Sequence, residues 1–164
     1  MEEKIDEMEL MEKKLLIIEF NKASQLDRSF GKNITQENKK KFRKELIEST
    51  LHLMKLVDEN KLKNRDIREK IYSLTQIGGV SVGQAQKVIN VSLKVYCFLK
   101  NKNLLKELDC PLDSTTMKGK NTMRNVTEKV YKEYQDKFER EEKMKILKDM
   151  EYDSKRLNEF LKDK

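Results

Sequence analysis

The stretch IGGVSVGQAQKVINVSLKVYCFLK, residues 77–100, decides the fold that the sequence predicts. Ser81 is followed three residues later by Gln84, the capping-box arrangement in which each side chain pairs with a backbone amide of the first helical turn. The segment that follows is the most apolar of the chain and ends at Lys100. We therefore predict a helix from Val82 to Lys100, and we expect it to be the buried central helix.

Helical spacing also dominates the segments on either side of this stretch. Apolar residues form one broad stripe over residues 4–26, where we predict one long helix. After caps at Asn33 to Thr35 they recur three, four or seven positions apart in a second predicted helix, and Asn64 is expected to cap a short third one. From Thr122 to the C-terminus we expect one long amphipathic helix. It is either continuous or broken at residues 139–143, which contain no apolar side chain.

These segments predict an all-α protein. We expect a single compact multi-helix domain over residues 1–164, with a helix-hairpin-helix-like centre and long amphipathic N- and C-terminal helices. The core is expected over about residues 5–138. Residues 139–164 are expected to form a helical tail that projects from this core or packs on a partner, because a small core cannot cover so long a helix.

The net charge of +7 is concentrated in the middle of the chain. Residues 1–27 carry a net charge of −4, residues 28–82 carry +6, residues 83–125 carry +5, and residues 126–164 are neutral. An excess of lysine is typical of AT-rich genomes whatever the protein binds, so the total charge says little about a ligand. A localised basic surface is more informative, and it predicts an anionic partner such as nucleic acid.

Composition excludes several other classes. No apolar run approaches the ~18 residues that a membrane helix needs, so we expect no membrane span. The acidic N-terminus lacks the basic start of a secretory signal, which indicates a cytoplasmic protein with reduced thiols. Cys97 is expected in the core, whereas Cys110 is either structural or a free reactive thiol. With His52 as the only histidine, we predict no metal site and no cofactor.

The glycine-containing turn of residues 77–85 is the one constellation that predicts chemistry. Glycines let the backbone turn tightly, and the amides at the start of the next helix offer a site for a phosphate. Lys87 and Lys94 lie on about one face of that helix because they are seven residues apart. We predict that this region grips a nucleic-acid backbone without reading bases. The predicted contacts are Gly79, Ser81, Gly83, Gln84, Lys87, Lys94, Lys118, Lys120 and Arg124.

A helix, a glycine hairpin, a second helix and a short stretch ending in proline, hydrophobe and aspartate resemble the helix-hairpin-helix DNA base-excision glycosylases. The hairpin counterpart is Gly79-Val80-Ser81-Val82-Gly83, and the aspartate counterpart is Asp113 in Pro111-Leu112-Asp113-Ser114. The resemblance covers about residues 65–120.

This resemblance implies a helical domain that binds duplex DNA at the hairpin and flips a base into a pocket. Asp113 would then stabilise the positive charge that develops on the sugar, or activate the nucleophile. In family members with lyase activity, a lysine two residues after the second hairpin glycine forms a Schiff base with the sugar. That position is Ala85 here, and Lys87 is the nearest candidate.

Each candidate also has a structural interpretation. Asp113 is typical of a turn cap, Ser114 is expected to cap a turn through Met117, and Lys87 is typical of a solvated helix lysine. The chain as a whole has an alternative function, as a non-enzymatic bacterial or phage regulator or inhibitor that acts through helix-mediated protein contacts. In that case the C-terminal helix binds a protein partner or a second copy of the chain.

Overall fold

The fold is built from helices alone over the residues that the structure, a computed structural model, describes. These residues are 2–23, 26–30, 32–141 and 144–162. The α-helices are α1 (Glu2–Ala23), α2 (Leu26–Phe30), α3 (Gln36–Asp58), α4 (Asn64–Leu74), α5 (Val82–Lys100), α6 (Glu128–Glu141) and α7 (Ile146–Lys162), with 3-10 helices at Lys102–Glu107 and Met123–Asn125. This confirms the all-α prediction. None of the helices in these ranges is long and apolar enough to cross a membrane.

Helix α5 lies at the centre of the protein, as predicted. It contacts α1, α3, α4 and both 3-10 helices. Reciprocal bonds fix its start, since the Gln84 amide donates to Ser81 Oγ at 3.2 Å and the Ser81 amide donates to Gln84 Oε1 at 2.9 Å. Most residues from Val82 to Cys97 are buried, so the apolar run of the sequence becomes the core.

Helices α3 and α4 begin at the predicted places, but only one of the predicted caps is used. Thr35 caps α3, and its Oγ1 accepts a hydrogen bond from an amide of the first turn at 3.1 Å. At α4 the predicted cap is wrong, because Asn64 is the first helical residue and its side chain donates to Asp109 at 2.9 Å. The N-cap residue of α4 is instead Lys63, whose backbone amide donates a hydrogen bond to the Asp66 side chain at 2.9 Å.

Both terminal segments are divided into shorter helices. The predicted helix over residues 4–26 is replaced by α1, which ends at Ala23, and α2, in which Leu26 is fully buried. The C-terminal segment is broken, which was one of its two predicted forms, and it starts with a 3-10 turn. In this turn the Met123 carbonyl accepts a hydrogen bond from Ser81 Oγ at 2.6 Å, which holds the chain against the start of α5.

The chain beyond residue 139 has a buried anchor. Lys145 and Ile146 are both buried, and Lys145 Nζ lies 2.8 Å from an oxygen of Asp109. The distal half of α7 lies on the surface, where Leu157 is 58% exposed. The last helix is therefore tied to the core by its first turn, and its outer end presents apolar side chains to solvent.

A fully buried carboxylate, Asp109, joins four segments of the chain. It accepts hydrogen bonds from Arg68 Nε at 2.9 Å, from Asn64 Nδ2 at 2.9 Å and from the Tyr131 hydroxyl at 2.9 Å, and it pairs with Lys145. Burial alone acts to raise the pKa of Asp109, but the Arg68 guanidinium and the Lys145 ammonium outweigh burial and lower it. The carboxylate is therefore ionised and satisfied inside the core.

Replacing Asp109 with alanine should destabilise the protein strongly, because the buried Lys145 and the half-buried Arg68 lose their counter-charge. We expect the free energy of unfolding in urea at neutral pH to fall by about 3–5 kcal/mol. Since the pKa of Asp109 is lowered on folding, its contribution is complete above the unfolded-state pKa of about 4 and is lost as the pH falls through the folded-state value. The difference in the free energy of unfolding between wild type and Asp109→Ala should therefore become smaller below about pH 4.

Glu133→Gln is the matched control, because Glu133 is exposed on α6 and its removal also deletes one carboxylate. Its stability should stay within about 0.5 kcal/mol of wild type. An Asp109→Ala protein as stable as this control would show that the buried cluster does not hold the fold together.

Candidate nucleic-acid interface

The turn between α4 and α5 contains two glycines that allow close approach of backbone. Gly79 has a φ of +88°, and a Cβ atom there would lie 2.3 Å from the carbonyl oxygen of Asn33. A Cβ atom on Gly83 would lie 2.2 Å from the carbonyl oxygen of Met123. Both positions therefore need glycine, and in each case the approaching group is the protein's own backbone.

The start of α5, predicted as a phosphate site, is covered by neighbouring segments. Ser81 Oγ donates to the Met123 carbonyl, and Gln84 Nε2 donates to Ser29 Oγ at 3.1 Å. Gly83 and Gln84 are buried, whereas Gly79 is exposed and lines a hollow of about 260 Å³. Of the four predicted hairpin contacts, Gly79 is therefore accessible. Ser81, Gly83 and Gln84 take part in packing and capping instead.

The extended segment that leads to Asp113 is held by buried amide side chains. Gln86 of α5 donates to the Leu112 carbonyl at 2.8 Å and accepts from the Leu112 amide at 3.1 Å. Gln135 of α6 pairs with both backbone groups of Cys110 in the same way, at 2.9 and 2.8 Å. Because each glutamine satisfies a donor and an acceptor, the segment crosses the core without a strand partner.

Asp113 and Lys87 lie together, with Lys87 Nζ 2.8 Å from the Asp113 carboxylate. The other carboxylate oxygen accepts hydrogen bonds from the amides of Thr115 and Thr116, both at 2.9 Å, so Asp113 caps the turn that follows. The predicted cap of this turn, Ser114, is exposed and lies one residue beyond. Burial acts to raise the pKa of Asp113, but Lys87 and the Thr116 hydrogen bonds lower it, so the carboxylate is ionised.

A cleft of about 710 Å³ opens beside this ion pair, and we call it the basic cleft. Its polar lining is Ser29, Lys87, Asp113, Ser114, Thr122, Arg124 and Arg156. Arg124 donates to the Ser29 carbonyl and, at 3.1 Å, to the Arg28 carbonyl. Arg156 donates to Thr115 Oγ1 at 3.3 Å. Each arginine is therefore positioned by neutral acceptors, which leaves its charge uncompensated by these contacts.

Lys118 and Lys120 lie on the exposed turn that connects two residues of the cleft wall, Ser114 and Thr122. Lys118 has a φ of +52° and Gly119 a φ of +70°, so the chain reverses tightly there. Residues 114–127 contain three cations and no carboxylate. The turn thus adds positive charge next to the basic cleft.

Lys94 faces α7, and its charge is already matched. Its Nζ lies 2.5 Å from Asp149 and 2.5 Å from Asp153, in a hollow that adjoins the basic cleft at Lys87. Burial acts to lower the pKa of Lys94, but the two carboxylates raise it. Burial raises the pKa of Asp149, with Lys94 opposing the shift. One predicted nucleic-acid contact is therefore covered by two acidic residues of the C-terminal helix.

The sequence analysis did not predict several residues of the cleft, among them Arg156 and Ser29. Arg156 lies in a helix whose charges balance, and only the packing of α7 along α5 brings it near Lys87. Ser29 lies in α2, beyond residue 26, where the first helix was predicted to end. No local motif signals either residue, because each reaches the cleft through tertiary packing.

Other candidate groups lie away from this cleft or are buried. Burial raises the pKa of the Cys97 thiol to about 12, and it also raises that of Cys110, so neither thiol is activated. Both cysteines are free, and His52 is exposed on α3. Within the described ranges, no group of His, Cys, Asp and Glu side chains is arranged to hold a metal ion.

Comparison with known proteins adds no family to this description. No protein-family model matches the chain, and no curated protein or solved structure is significantly similar to it. The class that the fold and cleft define is an all-helical protein with a localised basic cleft.

Proposed function

We propose that this protein binds the phosphate backbone of nucleic acid, and of duplex DNA above all, in the basic cleft. The proposal rests on the positive charge of the cleft lining. Arg124 and Arg156 line the cleft, and the one carboxylate among its described lining residues, Asp113, is paired with Lys87. An anion entering the cleft meets two guanidinium groups, whose planar donor geometry suits phosphate.

A polymer fits this surface better than a small anion. The cations continue out of the cleft onto the turn that carries Lys118 and Lys120, where both side chains are exposed. A single phosphate can contact only part of this set, whereas successive phosphates of one strand can contact all of it.

The chemistry of the lining favours backbone contacts over base recognition. Ser114 and Thr122 supply exposed hydroxyl donors, and the described lining residues include no aromatic side chain on which a base could stack. The resemblance of residues 65–120 to helix-hairpin-helix glycosylases supports duplex DNA as the polymer. We therefore expect binding with a strong salt dependence and a weak sequence preference.

Charge reversal on the exposed turn tests the proposal. The Lys118→Glu, Lys120→Glu double variant should weaken binding of a labelled DNA duplex and reduce the slope of log K against log salt by about 2, since each lost phosphate contact releases ~0.9 counterion fewer. Fluorescence anisotropy over a salt series gives both quantities. Both side chains are exposed, so we expect the unfolding midpoint to stay close to that of wild type.

Lys129→Glu with Lys132→Glu on α6 is the matched control, because it changes the net charge equally on another exposed helix. This control should keep most of the wild-type affinity. Equal losses in the two double variants would mean that only net charge matters, and would contradict binding at the cleft.

The two carboxylates that pair with Lys94 provide a second test, in which the substitutions should strengthen DNA binding instead of weakening it. Replacing both Asp149 and Asp153 with asparagine removes the negative charges that pair with Lys94. The Lys94 ammonium can then contact a phosphate, so DNA binding should become tighter and the slope of log K against log salt steeper. Glu151→Gln with Glu159→Gln removes the same charge from the same helix without touching Lys94, and it should have a smaller effect. If the two pairs tighten binding equally, Lys94 is not part of the interface.

Base excision is a second candidate function, favoured by the position of Asp113 in the lining of the basic cleft. Its carboxylate is ionised and could face a sugar that develops positive charge. The test incubates the protein with duplexes that carry uracil, alkylated or oxidised bases and measures release of free base. Activity should be lost in Asp113→Asn with DNA binding retained, and no release by wild type from any of these substrates would reject this candidate.

A further inference from the structure

Helix α7 has a buried first half and an exposed second half. Ile146 and Asp149 in the first half are buried, whereas every residue from Asp153 to Lys162 is exposed. We call the exposed half, residues 153–162, the α7 arm. A helix of about ten residues is only marginally stable in water by itself. Because none of these side chains is buried, the position of the arm depends largely on polar contacts with the rest of the protein.

Asp153 supplies one of these contacts, because it shares the Lys94 ammonium with Asp149. Both carboxylates lie 2.5 Å from Lys94 Nζ, although a single carboxylate would neutralise it. Burial raises the pKa of Asp149, and the like charge of Asp153 acts in the same direction. Asp149 is 6% exposed, whereas the Asp153 side chain is 52% exposed. Asp149 is therefore the fixed partner of Lys94, and Asp153 is the partner that can be exchanged.

This group of one cation and two carboxylates lies at the edge of the basic cleft. The hollow that Lys94 shares with Asp149 and Asp153 has a volume of about 340 Å³. Lys87 and Arg156 line both this hollow and the basic cleft. An anion in the cleft therefore meets a surplus negative charge beside its binding site, and this charge opposes its approach. Asp153 competes with such an anion for Lys94.

The contacts of the α7 arm are of a kind that a phosphate can replace. An ion pair with a half-exposed carboxylate contributes little free energy, because water solvates that carboxylate well. A second contact, from Arg156 to Thr115 Oγ1 at 3.3 Å, joins a cation to a neutral acceptor. A phosphate is a charged acceptor for both Lys94 and Arg156, and charge-assisted hydrogen bonds of this kind are the stronger ones.

We propose that the α7 arm is an autoinhibitory element of the nucleic-acid site, an inference that rests on the function proposed above. In the free protein Asp153 pairs with Lys94. When a strand binds, its phosphates replace Asp153 at Lys94 and Thr115 at Arg156, and the arm moves away from α5 while the buried first half of α7 stays in place. The affinity for nucleic acid is lowered accordingly, because only molecules with a released arm offer the complete site.

A distance measurement between two spin labels tests the release of the arm. Asn158→Cys on the arm and His52→Cys on α3 place both labels at exposed positions. The native cysteines, Cys97 and Cys110, are buried and should not react. Electron spin resonance of the labelled protein should give one distance distribution without DNA, and a shifted and broader one with a saturating DNA duplex.

Asp153→Asn tests the same step without DNA. Loss of this carboxylate should move part of the population to the shifted distance in the free protein. It should also tighten DNA binding by about two- to fivefold, the range expected when one surface ion pair no longer competes. Because the Asp153 side chain is half-exposed, we expect the variant to keep its fold, and circular dichroism verifies this.

Glu159→Gln is the matched control, because it removes one carboxylate from the same arm and leaves both ion pairs of Lys94 in place. It should keep the wild-type distance in the free protein and tighten binding less than Asp153→Asn. Equal distances and affinities in the two variants would overturn the proposal. DNA binding without a change in distance would overturn it too, but would leave the proposed function standing, whereas a lack of DNA binding in the titration would overturn both.

Discussion

The ionised carboxylate of Asp109 is the constraint on which the rest of the structure depends. A charge with no exposed surface requires cationic partners at hydrogen-bond distance, and here they come from Arg68 of α4 and from Lys145 just before α7. Tyr131 of α6 completes the set. Helices α4 and α6 and the start of α7 are thereby brought to one point. The cluster also fixes the place where α7 begins, and so which of its residues reach the cleft.

The geometry of the basic cleft depends on the cluster around Asp109. Three residues lie between Asp109 and Asp113, and Gln86 and Gln135 form hydrogen bonds to the backbone of this short segment. Asp113 is thus placed against Lys87 by a segment that cannot shift without leaving buried amides unpaired. On the opposite wall, the distance along α7 from its buried anchor places Arg156 beside the same cleft. The buried cluster therefore contributes to the position of both walls, and on the α7 side the ion pairs of Lys94 with Asp149 and Asp153 act together with it.

Local signals in the sequence are sufficient to predict the central helix. They are not sufficient to predict which charged side chains pair with one another. The Ser81 and Gln84 capping box depends on residues three apart, so it could be predicted together with the helix that follows. Lys94 and Asp149 are 55 residues apart, and nothing in the sequence relates them. A lysine count predicts how much positive charge a chain has, but tertiary packing decides which lysines are matched by carboxylates.

Gly83 shows why the hairpin could not be interpreted from sequence alone. A glycine at the start of a helix permits close approach of an oxygen, and the sequence does not say whether that oxygen belongs to a phosphate or to the protein. In this fold it is the Met123 carbonyl, so the anion site proposed here lies in the cleft beyond it.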